Sequence, residues 1–448
     1  MGHCAAKTQG NNMAASPPSI LWIVTTQWRA GATGYAGDPN ARTPHLDAMA
    51  AESVDYSQAV TPHPFGPFAR AAMLTGVLSP ENGVRDYHDP LPAEARTIAD
   101  RLRMRGYAAA FFGKWHLYEL DPRAALVGPA HAKIVVPPGR RGGFEFWEGF
   151  ESGFLLNNPW LHGTRLSEPT QFSGYQSDVV CDRAAAWIME TGDRILEAGG
   201  RKAEEKENGA GMTGPLSPAA HSPQRPWFCV VSVEPPHPPY DAPVPDGGSG
   251  WTPEGIVLPP NVPRGGDVEA TARRELAGYY AHLEATDRAI GRLLAALPVE
   301  KTAVVFTSVH GDMHGAHGLF RKGWPHEESV RVPLLVRVPN IRGKGRGVRD
   351  PALVSLVDLP DLTLRLAAGG DPAERAEFQR ISMPSVVRLP RQCDRVWRGG
   401  RTSLRKLVLS EAGMPWLYFD LERDPGEEIN LRDDSARAAE IEAFRRLL

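Results

Sequence analysis

Four side chains that can bind a metal or move a proton lie close together in the segment HGDMHGAH: His310, Asp312, His314 and His317. Imidazole nitrogens and carboxylate oxygens are ligands of zinc, and histidine also serves as a general acid or base. The four cysteines of the chain stand far apart and show no paired spacing, so no Cys/His zinc motif accompanies this segment. The segment by itself suggests at most a metal site built from histidine and carboxylate.

The segment follows a short apolar run, Thr302 to Thr307, which is typical of a buried β-strand. Runs of the same kind predict further strands at 20–25, 107–112 and 227–233. Amphipathic patterns predict helices between them, at 43–52, 96–106, 178–198 and 267–297. This alternation predicts an α/β fold with a large, mostly parallel sheet flanked by helices on both faces.

The character of the sequence changes after about residue 385, where short segments predict a small antiparallel sheet closed by a helix over 435–448. The stretch before residue 19 is polar, and residues 199–226 are low in complexity, which predicts disorder in both. The predicted organisation is a disordered N-terminus at 1–18, an α/β domain at 19–385 with a disordered insert at 199–226, and a C-terminal subdomain at 386–448.

Ligands of open parallel sheets collect outside the carboxyl ends of the strands. A functional site is therefore expected where the segments that follow the predicted strands meet. Those segments are 25–29, 63–70, 113–116, 234–241 and 308–318.

The composition of the 448 residues excludes several classes of partner. A net charge of −3 gives no reason to expect nucleic acid or an anionic membrane surface as a partner. No apolar run approaches the roughly 18 residues of a membrane span, and the first 19 residues lack the apolar core of a signal peptide. A cytoplasmic protein is expected.

Eight stretches, in order and spanning nearly the whole chain, resemble the sulfatase family of the alkaline-phosphatase-like superfamily. They are ILWIVTTQWR (20–29), TPHLDAMAAESV (43–54), RAAMLTG (70–76), GKWH (113–116), EPPHPPYD (234–241), FTSVHGDMHGAHGL (306–319), KGWPHEESVRVPLLVRVP (322–339) and LYFDLERDPGEEINL (417–431). The resemblance implies the sulfatase fold, with a small C-terminal antiparallel sheet, and the hydrolysis of sulfuric esters.

The family nucleophile is missing from its expected position. The resemblance implies a cysteine in a C-x-P-x-R motif, oxidised to formylglycine, whose hydrate attacks the sulfur. Aligned on Arg70, the cysteine position holds Gly66 and the proline position holds Phe68. Glycine has no side chain to oxidise. It is either a structural residue that relaxes a tight turn or the trace of a simple loss.

The family metal ligands are missing as well. The resemblance implies a divalent cation, usually calcium, held by two consecutive aspartates after the first strand and by a later Asp-Asn or Asp-His pair. Thr26 and Gln27 occupy the first pair of positions, and Val309 and His310 occupy the second. Because calcium and magnesium prefer anionic oxygen ligands, we expect no bound metal and no formylglycine. The resemblance also explains His310 and His317 as family positions, which makes a new metal site the less favoured interpretation.

The basic positions of the family site are all retained. By resemblance they bind the sulfate oxygens and transfer protons, and they are Arg70, Lys114, His116, His237 and Lys322. Loss of three carboxylates together with a doubly charged metal should leave the pocket about one charge more positive. Clustered buried cations repel one another unless an anion joins them. Sulfate, phosphate or an anionic small molecule is therefore the expected ligand.

Three functions remain open at this point. The first is a pseudoenzyme that keeps the sulfatase fold and a basic oxyanion-binding pocket but does not hydrolyse esters. The second is a hydrolase of sulfate or phosphate esters with a non-family nucleophile, such as a histidine or an activated water. The third is a structural or regulatory partner of an active paralogue, in a homo- or hetero-oligomer. The sequence does not decide whether the chain is an enzyme.

Overall fold

A computed structural model describes residues 16–204, 225–245, 250–339, 346–370 and 376–448, although the side chains of 192–204 are not described. Residues 1–15 and 205–224, which hold most of the predicted disordered N-terminus and insert, lie outside the described residues.

Within the described residues, ten strands form one mixed sheet in the order β10-β2-β9-β8-β1-β7-β3-β4-β5-β6. The five strands from β8 to β4 run parallel to one another, whereas β9, β5 and β6 pair antiparallel with their neighbours. The strands are β1 Ser19–Thr25, β2 Val54–Val60, β3 Ala108–Lys114, β4 Phe146–Phe150, β5 Trp160–Gly163, β6 Thr170–Gln171, β7 Trp227–Ser232, β8 Thr302–Ser308, β9 Leu334–Arg337 and β10 Val348–Ser355.

The central strand β1 is buried on both faces, as its continuous apolar run predicts. Trp22 and Val24 belong to the hydrophobic core on one face of the sheet, and Leu21 and Ile23 belong to the core on the other. Helices cover both faces. The α-helices of the described residues are α1 Pro44–Ala50, α2 Gly66–Thr75, α3 Ile98–Arg103, α4 Pro129–Ala132, α5 Gln176–Glu204, α6 Gly266–Ala295, α7 Glu327–Val330, α8 Leu359–Ala367 and α9 Ala438–Arg445.

The two faces carry different helices. Side chains of α2, α3 and α8 enter the core that contains Trp22, and side chains of α1, α5 and α6 enter the core that contains Leu21. The α/β architecture expected from the sequence is therefore confirmed, with antiparallel strands added toward both edges of the parallel centre.

A second, four-stranded antiparallel sheet follows in the chain, in the order β11-β12-β13-β14, and α9 packs on it. Its strands are β11 Gln379–Met383, β12 Trp397–Arg401, β13 Arg405–Ser410 and β14 Pro415–Asp420. The predicted small sheet is confirmed. Its first strand precedes residue 386, where the sequence places the start of the subdomain, while the division into domains itself stays a prediction.

The sequence misplaced the end of one long helix. We expected a stop at Gly199-Gly200, but α5 continues to Glu204. Two glycines cost a helix about 1 kcal/mol each relative to alanine, which weakens the helix without forbidding it.

Candidate functional site

The carboxyl ends of the parallel strands open into one cavity of about 650 Å³. Thr26 follows β1, His116 follows β3 and His310 follows β8, and all three line its wall. Four of the five predicted basic side chains line it together: Lys114, His116, His237 and Lys322. The structure thus brings the predicted segments to one place, as the sheet topology requires.

The ring of His116 fills the space beside Gly66, the first residue of α2. A Cβ atom on Gly66 would lie 2.9 Å from His116 Nδ1 and 3.2 Å from its Cε1, closer than ordinary van der Waals contact. Gly66 itself has no positive φ, whereas His116 has a φ of 56°. The close approach of His116, rather than a tight turn, explains glycine at this position.

Both ring nitrogens of His116 are buried and have no hydrogen-bond partner among the described residues. Burial lowers the pKa of this histidine well below its ordinary value, and the nearby Lys114 and Arg70 lower the pKa further. The neutral ring therefore offers one N–H donor and one acceptor to a ligand in the cavity.

Lys114 forms a buried ion pair that the sequence did not reveal. Its Nζ lies 2.7 Å from Glu234 Oε1, and the two side chains are 1% and 0% exposed. Arg70 lies beside this pair but is bound to the framework, because its Nη1 donates to Lys114 O at 3.1 Å and to Ser232 Oγ at 2.6 Å. Its Nη2 donates to Thr26 Oγ1 at 2.9 Å. Arg70 therefore stabilises the cavity wall without lining the cavity itself.

Lys322 is held by two neutral acceptors. Its Nζ donates to Gln27 Oε1 and to His237 Nε2, each at 2.7 Å. The other ring nitrogen of His237, Nδ1, lies 2.7 Å from Pro238 O, so it carries the proton and leaves Nε2 as the acceptor. The pKa of His237 is well below its ordinary value because the ring is buried and close to Lys322 and Lys114.

The carboxamide of Gln27 connects Lys322 to a buried carboxylate. Gln27 Nε2 donates to Asp312 Oδ2, which also accepts a hydrogen bond from the hydroxyl of Tyr240 at 2.5 Å. Burial alone would raise the pKa of Asp312, but His314 and Arg321 hold the pKa below its ordinary value. Asp312 is therefore a fixed negative charge behind the cavity wall.

The two positions that match the family's consecutive metal carboxylates are already engaged. Thr26 Oγ1 donates to Val233 O at 3.1 Å and accepts from Arg70. Gln27 Oε1 accepts from the Lys322 ammonium. A divalent cation here would have to displace the Arg70 guanidinium and the Lys322 ammonium, and it would gain only two neutral oxygen ligands. Calcium prefers anionic oxygen ligands, so these two positions do not suit it.

The later pair of metal positions offers one nitrogen and no oxygen. Val309 is fully buried in the hydrophobic core. His310 Nδ1 lies 2.9 Å from Gly311 O, which leaves Nε2 free. These donors do not fit a calcium or magnesium ion. Among the described residues, side chains that could jointly hold a metal are grouped elsewhere, at His317, Glu328 and Glu427.

Both lysines of the site have a pKa below the ordinary value for lysine. Burial lowers the pKa of Lys114 to about 8, against the opposing effect of Glu234. Burial also lowers the pKa of Lys322 to about 7, and the charge of Lys114 contributes to this shift. A dianion in the cavity would favour the protonated form of both side chains.

The sequence identified the basic residues of the site, offered Asp312 only as a possible metal ligand and missed Glu234. Glu234 opens the segment EPPHPPYD and Asp312 lies in HGDMHGAH, so both stood beside recognised positions. The expected gain of one positive charge omitted Glu234, which neutralises Lys114 directly. Phe154 stacks on His237 with ring centroids 4.6 Å apart and also lines the cavity.

The geometry neither supports nor contradicts several of the expectations. The roles of the individual site residues, the oligomeric state and the cytoplasmic location stay predictions. No helix in the described part of the chain is both long and apolar enough to cross a lipid bilayer.

A mixed sheet with basic side chains at its carboxyl edge and a small antiparallel sheet after it is an alkaline-phosphatase-like fold. The chain belongs to the sulfatase family, because the model of that family matches residues 18–369. The recognition made from the eight stretches of sequence is confirmed.

Relatives of known sequence are similar along most of their length. The chain is 31% identical to the ulvan-active sulfatase of Formosa agariphila, over 95% of this chain and 79% of that one. It is 26% identical to the arylsulfatase of Clostridium perfringens, over 96% of this chain and 93% of that one. A solved sulfatase structure from Bacteroides thetaiotaomicron has 21% identity, with a TM-score of 0.76 over 95% of this chain and 94% of that one, and shows the shared fold.

Proposed function

We propose that this chain is a pseudoenzyme of the sulfatase family that binds sulfate, phosphate or a small molecule carrying such a group, without hydrolysing the ester. The observation that carries the proposal is the juxtaposition of Gly66 with His116. The place of the nucleophile is taken by a glycine and an intruding imidazole ring, while four of the five basic side chains line the cavity around it.

The loss of chemistry is supported by both halves of the family mechanism. A formylglycine cannot form at Gly66, and no cysteine or serine stands between Pro62 and Arg70. The metal would activate that nucleophile and neutralise developing charge. The oxygen atoms of Thr26 and Gln27 are instead occupied by internal hydrogen bonds.

The retention of anion binding is supported by the donors at the cavity wall. Both ring nitrogens of His116 lack a hydrogen-bond partner within the described part of the chain, and Lys114 and Lys322 line the same cavity. The N-terminus of α2 reaches the same wall at Gly66 without a side-chain cap, and the first turn of a helix favours negative charge. One dianion would meet a helix terminus, the Lys322 ammonium and the Lys114 ammonium, which is paired with Glu234.

The test is the melting temperature of the purified protein with sodium sulfate or phosphate against sodium chloride of equal ionic strength. A ligand at a hundred times its Kd stabilises by about 2.7 kcal/mol, so a site of millimolar affinity is detectable. Lys322→Met should abolish the shift, whereas Lys301→Met, at an exposed lysine away from the cavity, should preserve it. The absence of a shift with every anion would refute the binding proposal.

The position of His116 also favours a second candidate function, a hydrolase in which this imidazole replaces the family nucleophile. Turnover of an aryl sulfate or phosphate that disappears in His116→Ala, but persists in Lys301→Met, would establish it. Activity from a contaminant would be the same in both variants. Equal, residual turnover in both would support the pseudoenzyme.

A further inference from the structure

A chain of buried hydrogen bonds runs through the cavity wall from a carboxylate to an ammonium group. Asp312 accepts from Gln27 Nε2, Gln27 Oε1 accepts from Lys322, and Lys322 also donates to His237. Among these four side chains, the most exposed residue is His237, at only 6%. Each hydrogen bond of this series joins two protein side chains directly, so the fold of the protein determines their geometry.

Gln27 connects the two charged members of this hydrogen-bonded series, Asp312 and Lys322. Its amide nitrogen is directed at Asp312 and its amide oxygen at Lys322. A carboxylate at position 27 would accept from Lys322 but repel Asp312, because a carboxylate has no proton to donate. The backbone of Gln27 has a φ of 75°, which is uncommon for a residue with a side chain. The position is thus specifically built around a carboxamide.

The ammonium of Lys322 has three N–H donors, of which two are used by Gln27 and His237. Lys322 lines the cavity, so the third donor is available to a ligand there. A buried ammonium keeps its charge only where acceptors or anions compensate for lost solvation. Gln27 supplies an acceptor, and Asp312 supplies a negative charge one hydrogen bond further away.

We infer that the Lys322 ammonium, positioned by Gln27, takes the place of the divalent cation as the positive charge that a bound anion meets at this point of the site. Anion binding then requires no metal. Gln27 stands at a position that matches a metal carboxylate of the family, so the same point of the fold now holds an ammonium instead of a metal ion. This inference rests on the proposed anion-binding function and names the residue that makes it independent of metal.

The first test compares two glutamine variants by titration calorimetry with sodium sulfate. Gln27→Ala removes the acceptor of the ammonium, and the sulfate affinity should fall by about tenfold. Gln171→Ala is the matched control, because Gln171 is exposed on β6 and its side-chain amide donates to Asn158 O, away from the cavity. Its affinity should change less than threefold. EDTA or calcium should leave the wild-type affinity unchanged.

Two outcomes of this titration would overturn the inference. One is an unaltered affinity in Gln27→Ala, and the other is a wild-type affinity that EDTA abolishes. If the wild type binds neither sulfate nor phosphate, the proposed function fails, and the contact between Gln27 and Lys322 is then judged by the second test.

The second test uses no anion. A double-mutant cycle of Gln27→Ala and Lys322→Met, measured by urea unfolding in EDTA, asks whether the two side chains stabilise each other in the metal-free protein. The double variant should lose less stability than the two single losses added together. Strict additivity would show that Gln27 does not hold the ammonium and would reject the positioning role, whatever the anion titration gives.

Discussion

His116 Nδ1 lies 2.9 Å from the point where a Cβ atom on Gly66 would stand. The imidazole therefore occupies space that a side chain at position 66 would need. Restoring the family cysteine alone cannot restore the family geometry, because the ring must first move away.

The first prediction concerns this contact. Gly66→Ala should lower the free energy of unfolding by about 1–3 kcal/mol, because the added methyl group overpacks a buried site. Urea unfolding at pH 7 measures the change. Gly139→Ala is the control, since that glycine is exposed and a Cβ there would meet nothing within 4 Å. His116→Ala should rescue much of the loss in the double variant, and a Gly66→Ala protein as stable as the wild type would contradict the contact.

The second prediction concerns the pH dependence of anion binding. Sulfate keeps its charge between pH 6 and 9, whereas Lys322 and Lys114, with pKa values of about 7 and about 8, lose their protons across this range. Because a bound dianion favours the protonated lysines, its affinity should fall by about tenfold or more from pH 6 to pH 9. Calorimetry in two buffers of different ionisation enthalpy should detect proton uptake on binding near pH 8. A constant affinity over the range would exclude the two lysines as ligands.

The third prediction concerns stability without ligand. The pKa of Lys322 is about 7 in the folded chain and returns toward its ordinary 10.5 on unfolding. Between these values the unfolded chain binds more protons, so the contribution of Lys322 to stability rises with pH. The stability of Lys322→Met relative to wild type should therefore be greatest near pH 7 and decline toward pH 10, by roughly 1 kcal/mol or more.

Urea unfolding at pH 7, 8.5 and 10 measures this trend. Loss of the hydrogen bonds to Gln27 and His237 adds an offset but does not reverse the slope. Lys301→Met, at an exposed position, should show no such slope. A difference between Lys322→Met and wild type that is independent of pH would mean that the lysine titrates normally in the folded protein.

The fourth prediction concerns calcium. Millimolar calcium should leave the melting temperature of the wild type unchanged, because the oxygens of Thr26 and Gln27 are engaged and Val309 offers none. The triple variant Thr26→Asp, Gln27→Asp and Val309→Asp should gain about 1 kcal/mol or more from saturating calcium. Sodium chloride of equal ionic strength is the control. A wild type that calcium stabilises, or that EDTA destabilises, would show that a metal site survives.

The fold was predictable because its signals are local. The continuous β-branched run of β1 predicts a buried strand. The capping box formed by Thr97 and Asp100 marks the start of α3 and is recognisable in the sequence. The strand β11, by contrast, carries only the polar and mixed residues QRISM, and its assignment depends on pairing with β12. The antiparallel strand β9 likewise depends on neighbours that are distant in the chain.

The site was predictable only in part, because the fold brings together its basic residues and their hydrogen-bond partners, which lie far apart in the sequence. The basic residues were found through their motifs. Their partners were not, since Glu234 is 120 residues from Lys114 and Gln27 is 295 residues from Lys322. Position 27 was interpreted as a lost ligand, whereas the structure shows a carboxamide that joins an acid to a base.

The pairing of Lys114 with Glu234 has a consequence for how this lineage changes. Replacing either side chain alone would leave a buried charge without its partner, at a cost of about 3–5 kcal/mol, while replacing both with apolar residues could be nearly neutral. Substitutions at positions 114 and 234 are therefore expected to occur together. Descendants of this gene should carry both residues or neither, even where no anion is bound.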